Sequence, residues 1–192
     1  LPYHLNSLNI YISNEKKMNL KEHIRSIPDY PKKGILFRDI TTLIKNEKAF
    51  AETINQIIDR SKNYKIDKIA AIESRGFVFA SAVSYLLKKP FILLRKKNKL
   101  PAETHSIDFE LEYGKATIEV HKDSIDTGDS VLIIDDLIAT GGTAEAAAKL
   151  IEISGGKVAA FIFAINLFDL GGCDSLIKKN YKVENLMDFP GH

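Results

Sequence analysis

The stretch "VLIIDDLIATGGT", residues 131–143, sets two carboxylates, Asp135 and Asp136, directly after an apolar run and directly before a glycine turn. Unpaired charge is costly beside a buried strand, so adjacent acids in this place need a partner. The residues that follow suggest one. In "ATGGT" (Ala139, Thr140, Gly141, Gly142, Thr143) the glycines let backbone N–H groups converge, and the helix behind them brings the positive end of its dipole to the same spot. These are the properties of a phosphate cradle, with the Thr140 and Thr143 hydroxyls as further donors. Carboxylates beside a cradle accept hydrogen bonds from sugar hydroxyls, so the set fits a ribose 5-phosphate. The stretch has neither the lysine of G-x-x-x-x-G-K-[ST] nor the spacing of G-x-G-x-x-G, which argues against a nucleotide triphosphatase or a dinucleotide site. Paired acids after a strand also occur as plain helix caps or solvated turns; the glycine turn immediately behind them is what favours a ligand.

Such acids face a ligand only if they sit at the carboxyl end of a strand in a parallel sheet. The apolar spacing predicts that sheet. Leu20, Ile24 and Ile27 recur at helical intervals and predict a short amphipathic helix that stops before Pro28. Pro28, Pro31 and Gly34 punctuate the segment 27–44, which predicts a small surface hood of irregular backbone with short extended pieces. A helix over 47–63 follows, with Phe50, Ile54, Ile57 and Ile58 on one face, and then a buried strand, "KIAAI", at 68–72. The cycle repeats with a helical face of Phe79, Val83, Leu86 and Leu87 before the strand "PFILLR" at 90–95. It repeats again with "SVLIID" at 130–135, a helix marked by Ala147, Leu150 and Ile151 and closed by Gly155 and Gly156, and the strand "KVAAFIFAI". Alternation of this kind predicts an α/β fold, a mainly parallel central sheet flanked by helices. One segment, 106–125, instead has period-two spacing around Tyr113-Gly114, with Ala116, Ile118 and Val120 on one face, and predicts an inserted hairpin.

Composition bounds the rest. With 192 residues, 45% hydrophobic and 27% charged, the chain has the usage of one globular domain, read as 18–192 with the hood at about 27–44 and the core at about 45–192. Residues 1–17 carry no arginine-rich or signal-peptide pattern and are read as an N-terminal extension outside the site. The lone Cys173 cannot form an internal disulfide, and no H-E-x-x-H or C-x-x-C spacing marks a metal site, so a reducing cytoplasm is the expected compartment. The apolar run "VAAFIFAI" is far shorter than the roughly 20 residues of a membrane helix. A net charge of +2 gives no general case for nucleic acid.

Apolar run, two acids and a Thr-Gly-Gly-Thr loop together resemble the signature of the type I phosphoribosyltransferases. Further stretches are similar, in the same order, to the adenine-using members of that family: "IPDYPKKGILFRDIT" at 27–41, "ESRGF" at 73–77, "RKKNKLPAET" from 95 and "LEYGKATIEVHKDSI" to 125. The likeness runs from residue 20 to the terminal "FPGH". It implies the type I phosphoribosyltransferase fold with a flexible hairpin over the site. The implied reaction transfers the 5-phosphoribosyl group from phosphoribosyl pyrophosphate to adenine, giving AMP and pyrophosphate with Mg2+, in a homodimer.

The resemblance also implies roles. Ala139 to Thr143 take the 5′-phosphate, and Asp135 and Asp136 the ribose hydroxyls. Glu73, Ser74, Arg75 and Gly76 form the pyrophosphate loop, in which a non-proline cis peptide is expected and Arg75 neutralises the departing group. Arg95, Lys96 and Lys99 add positive charge for a polyanionic ligand. Leu36 presents its backbone to the adenine edge, Phe37 stacks on the ring, and Arg38 bonds a ring nitrogen or secures the pocket. Glu112 assists proton movement at the purine while Tyr113 closes the pocket. Mg2+ is expected to be bridged mainly by ligand oxygens and water, with no protein cage. Two alternatives stay open on the sequence: transfer to a different base, and a regulatory module that senses the donor while contacting nucleic acid.

Overall fold

The computed structural model describes residues 18–111 and 114–191. Its centre is made by strands whose residues are apolar on both faces, which is what a sheet covered on both sides requires. In β7 (Ser130–Ile138), Leu132 and Ile134 point to one face, and Val131 and Ile133 to the other. The neighbouring β8 (Lys157–Leu167) repeats this, with Ile162 and Ala164 opposite Phe161 and Phe163. β3 (Lys68–Ile72), β4 (Phe91–Lys96) and β9 (Val183–Phe189) complete a five-strand parallel block. The hairpin strands β5 (Thr104–Leu111) and β6 (Gly114–His121) join its edge antiparallel, giving a seven-stranded sheet ordered β5-β6-β4-β3-β7-β8-β9.

Helices cover both faces. α2 (Glu47–Ser61) and α3 (Gly76–Leu87) bury Ile54, Ile57, Phe79 and Val83 on the face of Leu132 and Ile134. On the other face α4 (Gly142–Ile153) buries Leu150 and Ile151 against Ile133 and Phe161, beside the short α5 (Gly172–Lys178). Helix and strand positions thus follow the apolar periods, with one correction on α3. Leu86 is 44% exposed although its spacing groups it with Phe79 and Val83.

The hood departs further from the expected helix. Leu20–His23 form only a 3-10 turn, and Arg25–Pro28 are strand β1, paired antiparallel with β2 (Leu36–Asp39) in a separate two-stranded sheet. Pro28 biases the residue before it toward extended backbone, and the ladder supplies partners that a helix ending there would lack. Arg25 forms an ion pair with Asp39, and Arg38 bonds Ser26 Oγ. Leu20 and Ile24 are buried as their spacing predicts, while Ile27 pairs with Phe37. The surface expectation for 27–44 holds only in part, because Arg38, Asp39, Ile40 and, in α1 (Thr41–Ile44), Leu43 are buried. Arg38 ties the hood to the chain's end: its Nη2 donates to Pro190 O at 2.7 Å, and its guanidinium stands 4.7 Å from the centre of the Phe189 ring.

Among the described residues no helix is long and apolar enough to cross a membrane. Phe161 is fully buried at the sheet's centre, stacked on Phe163 and met edge-on by Tyr181. Phe161→Ala is expected to lower unfolding free energy by about 3–5 kcal/mol. Denaturant titration checks this, and a loss below about 1 kcal/mol would mean that this ring is not the centre of that face.

Candidate active site

β7 carries Asp135 and Asp136 into a cleft of about 660 Å³ that opens at the carboxyl ends of β3, β7 and β8. The acids do not end the strand, as "SVLIID" suggested. β7 continues through Ile138 because Leu137 and Ile138 pair with Ile165 and Asn166 of β8. Only then does the chain turn through Ala139, Thr140 and Gly141 into α4. Gly141 has φ +92°, a left-handed backbone that L side chains rarely adopt. No side chain caps α4. The first-turn N–H groups of a helix have no intrahelical partners, so this turn presents its donors and its positive dipole end to the cleft. All five of Ala139, Thr140, Gly141, Gly142 and Thr143 line it.

The opposite wall comes from the loop between β3 and α3. Ser74 and Arg75 line the cleft, and the Glu73–Ser74 peptide is cis, as the resemblance implies. Arg75 Nε stands 3.0 Å from Asp136 Oδ2, an ion pair that lacks the alignment of a hydrogen bond, since that oxygen is buried with no hydrogen-bond partner. The same guanidinium lies 5.2 Å from the centre of the Phe37 ring. Gly76 begins α3, where a Cβ would stand 2.7 Å from Asp135 Oδ1. Its bare backbone is what lets α3 start against the acids.

Electrostatics single out the acid pair. Burial pushes the Asp135 carboxyl well above the ordinary carboxylate range, and the neighbouring Asp136 charge pushes the same way. Burial also raises Asp136, which is 3% exposed, although the Arg75 charge opposes it. Glu73 behaves differently. Burial would raise it, but the Lys96 amide at 3.0 Å and the Arg95 guanidinium at 3.2 Å outweigh that and hold it low.

Other residues singled out in the sequence are placed less directly. Glu73 lines the cleft, yet its carboxylate is engaged with Arg95 and Lys96. Arg95 also donates to Lys99 O at 3.0 Å, so Arg95, Lys96 and Lys99 form a knot behind the Ser74 loop, and none of them lines the cleft. Leu36 lies on the cleft wall; Phe37 lies on an adjoining hollow of about 440 Å³ with Tyr30, Ile40, Val78 and Arg75. Arg38 faces the chain's end instead of the cleft wall, with its Nε buried and unpartnered. Burial lowers its pKa against the pull of Asp169. Glu112 and Tyr113 lie outside the described residues. Strand β5 reaches the 139–143 turn, because a Cβ on Gly142 would stand 3.3 Å from Glu110 O. Burial pushes the Cys173 thiol up to about 11, so it is no ready nucleophile.

The cleft also has walls without a motif: Lys33, Gly34 and Ile35 from the hood, Leu167 at the end of β8, Leu170 beyond it, and Gly191. Leu167 closes a parallel strand, and the rule that placed Asp135 in the cleft would have found it had it been applied to β8. Gly34 and Gly191 sit inside "PKKG" and "FPGH", stretches whose order was noted but whose residues carried no role.

A mainly parallel sheet with an uncapped helix start, a glycine turn and two adjacent acids near one strand's carboxyl end forms the cleft, and comparison with known proteins gives its class. Residues 39–184 match the family profile described as phosphoribosyl transferase domain. An adenine phosphoribosyltransferase of Pelagibacter ubique (strain HTCC1062) is 86% identical over 91% of this chain and 100% of its own. A crystal structure of adenine phosphoribosyltransferase from Thermoanaerobacter pseudethanolicus superposes with TM-score 0.85 at 46% identity, covering 88% of this chain and 98% of that one. The Giardia lamblia enzyme complexed with 9-deazaadenine gives TM-score 0.84 at 32% identity, over 88% and 96%. The chain belongs to the adenine phosphoribosyltransferase family.

The raised acids yield a pH prediction. A carboxyl whose folded pKa lies above its unfolded value stabilises the fold below the ordinary carboxylate range, and that stability is lost as pH rises through the folded pKa. Asp135→Asn removes one such group. The variant is expected to gain on the parent as pH rises above about 4 and to melt about 2–4 °C higher at pH 7. Calorimetric scans of both proteins from pH 4 to neutrality check this; a difference that shrinks with pH would reverse the assignment.

Proposed function

We propose that this cleft transfers the 5-phosphoribosyl group of phosphoribosyl pyrophosphate to adenine, releasing AMP and pyrophosphate. The observation that carries the reading is the uncapped start of α4 behind Gly141, lining the same cleft as the half-buried Asp135 and the buried Asp136. The 139–143 turn takes the 5′-phosphate, and the two acids take the ribose hydroxyls. Arg75 leaves Asp136 for the pyrophosphate, whose negative charge grows as its bond to C1′ breaks. Ser74 lies beside it on the same wall.

The base sits against the hood. Leu36 offers its backbone amide and carbonyl to the adenine edge, and Phe37 a ring face for stacking. Arg38 secures this pocket from behind, through Pro190 O and the Phe189 ring. The adenine nitrogen bonds to C1′ as the pyrophosphate oxygen departs, and Glu112 accepts the base proton while Tyr113 closes the pocket against water. Arg95, Lys96 and Lys99 act through Glu73 and the local field more than through contact.

Mg2+ fits the donor set. Among the described residues no group of three or more His, Cys, Asp or Glu is placed to hold a metal, while two carboxylates stand at the ribose end. Asp135 and Asp136 are the residues that would hold such an ion, and it would supply charge neutralisation for the leaving group. The free, half-buried Cys173 suits a reducing cytoplasm.

The test is AMP formation from phosphoribosyl pyrophosphate with adenine, hypoxanthine, guanine, uracil and orotate. Adenine is expected to be preferred, and preference for another base would overturn the acceptor assignment. Arg75→Ala is expected to lower turnover roughly 100-fold and to weaken the donor more than AMP; equal losses for both ligands would remove Arg75 from the pyrophosphate.

The protein is further proposed to act as a homodimer through the α3–β4 flank, where Tyr85, Leu86 and Leu93 are 79%, 44% and 38% exposed. Sedimentation is expected to give twice the 21.5 kDa chain mass. A fully active monomer at micromolar concentration would defeat the dimer.

A further inference from the structure

The front of the 139–143 turn faces the cleft, and its back rests on the start of α5. Gly172 N donates to Ala139 O at 3.0 Å. The contact is backbone on backbone from both sides. A Cβ on Gly172 would stand 2.3 Å from Ala139 O and 2.9 Å from Gly141 N, and one on Gly141 would stand 3.1 Å from Gly172 O. Gly172 is buried and does not line the cleft. α5 is also fastened to the first turn of α4, since Glu145 accepts from Ser175 Oγ at 2.6 Å and pairs with Lys179. The phosphate turn is therefore held between the helix it begins and a second helix behind it.

We infer that Gly172 is a positioning residue for the 5′-phosphate. Donors aimed at a phosphate from a backbone turn work only when hydrogen-bond distances hold within a few tenths of an ångström. Gly172 fixes the turn at that precision because its missing side chain lets α5 seat against Ala139 and Gly141. It governs affinity for the donor without touching it. The role rests on the proposed function, which assigns the phosphate to this turn.

Gly172→Ala must push the turn toward the cleft, because besides the Ile138 side chain at 2.8 Å its Cβ meets Ala139 O and Gly141 N, backbone atoms that cannot swing aside. Phosphoribosyl pyrophosphate and AMP carry the same 5′-phosphate, so calorimetric titration is expected to show both weakened by the same factor, roughly tenfold to 100-fold. Turnover at saturating donor and the KM for adenine are expected to change by less than about threefold. Gly156→Ala is the control: its Cβ would meet Ile125 and Ile151 side chains at 2.9 and 3.0 Å, far from the turn. It is expected to lower thermal stability and leave both affinities unchanged. If Gly172→Ala does not fold, Ser175→Ala, which releases α5 from Glu145, is expected to weaken both ligands together by a smaller factor.

Unchanged affinity in the folded Gly172→Ala protein, or in Ser175→Ala where the first cannot be made, overturns the positioning role and leaves the proposed function standing. So does a loss confined to one ligand. A parent that binds neither ligand overturns the proposed function, and the role of Gly172 with it.

Discussion

Two adjacent carboxylates within the wall of an apolar sheet are the constraint around which the site is arranged. Burial alone pushes Asp135 and Asp136 toward the neutral form, and their mutual repulsion adds to it for Asp135. One cation opposes this. Arg75 reaches Asp136 at 3.0 Å from the far wall, and to do so it must leave the start of α3, which can approach β7 only because Gly76 has no side chain. The acids, the arginine and the glycine are therefore one unit: moving α3 away would strand a buried charge, and filling Gly76 would move α3. Ion pairs of this kind are weak contributors to stability, because desolvation offsets the Coulomb gain. Their value here is positional, since each partner is left able to exchange for a ligand group of the same sign as the one it loses.

The rest of the molecule holds that unit in register. Parallel strands bring Ile72, Asp135 and Leu167 to one edge, so residues from three separate stretches of chain share a wall. The two-faced core under them is close-packed from both sides, and this rigidity keeps loops at the carboxyl ends in fixed relation. The hood is the exception. It has its own two-stranded sheet and is fixed to the core by Ile40 and Leu43, which are buried in it, and by Arg38, which bonds Pro190 O and faces the Phe189 ring. The hood wall of the cleft is thus carried by a separate small sheet, while the 139–143 turn grows directly out of the central one.

What was legible in the sequence follows the same division. Strands β3 to β8, α2 to α4 and the 139–143 turn are marked by local signals: short apolar runs, period-two spacing in the hairpin, period-3.6 spacing in the helices, and glycines where the backbone turns, whereas β9 carries no such mark. The helix expected at 20–27 failed because Leu20, Ile24 and Ile27 satisfy a helical period by chance of burial, whereas the ladder to 36–39 that claims 25–28 is a nonlocal pairing. The basic run at 95–99 shows the limit for charge. Its composition suggests an anion site, but Arg95 and the Lys96 amide face Glu73, a carboxylate 22 and 23 residues earlier in the chain that only the β3–β4 pairing brings near. Leu170 and Gly191 were invisible for a related reason, since neither bears a group that announces chemistry.

A site that binds by exchange has to hold groups that the fold leaves incomplete. The start of α4 has no capping side chain, Asp136 Oδ2 and Arg38 Nε are buried without hydrogen-bond partners, and both acids sit in surroundings that disfavour their charge. Each departs from the rule that buried polar groups are satisfied, and each would be corrected by a simple substitution if stability were the only demand. They are not scattered. The helix start and the acids line one cleft, and Arg38 stands in the strand that carries the cleft residue Leu36. A stable two-faced sheet tolerates this because the incomplete groups lie at its carboxyl edge, outside the packed layers, so ligand binding finishes hydrogen bonds that folding began without having to reorganise the core.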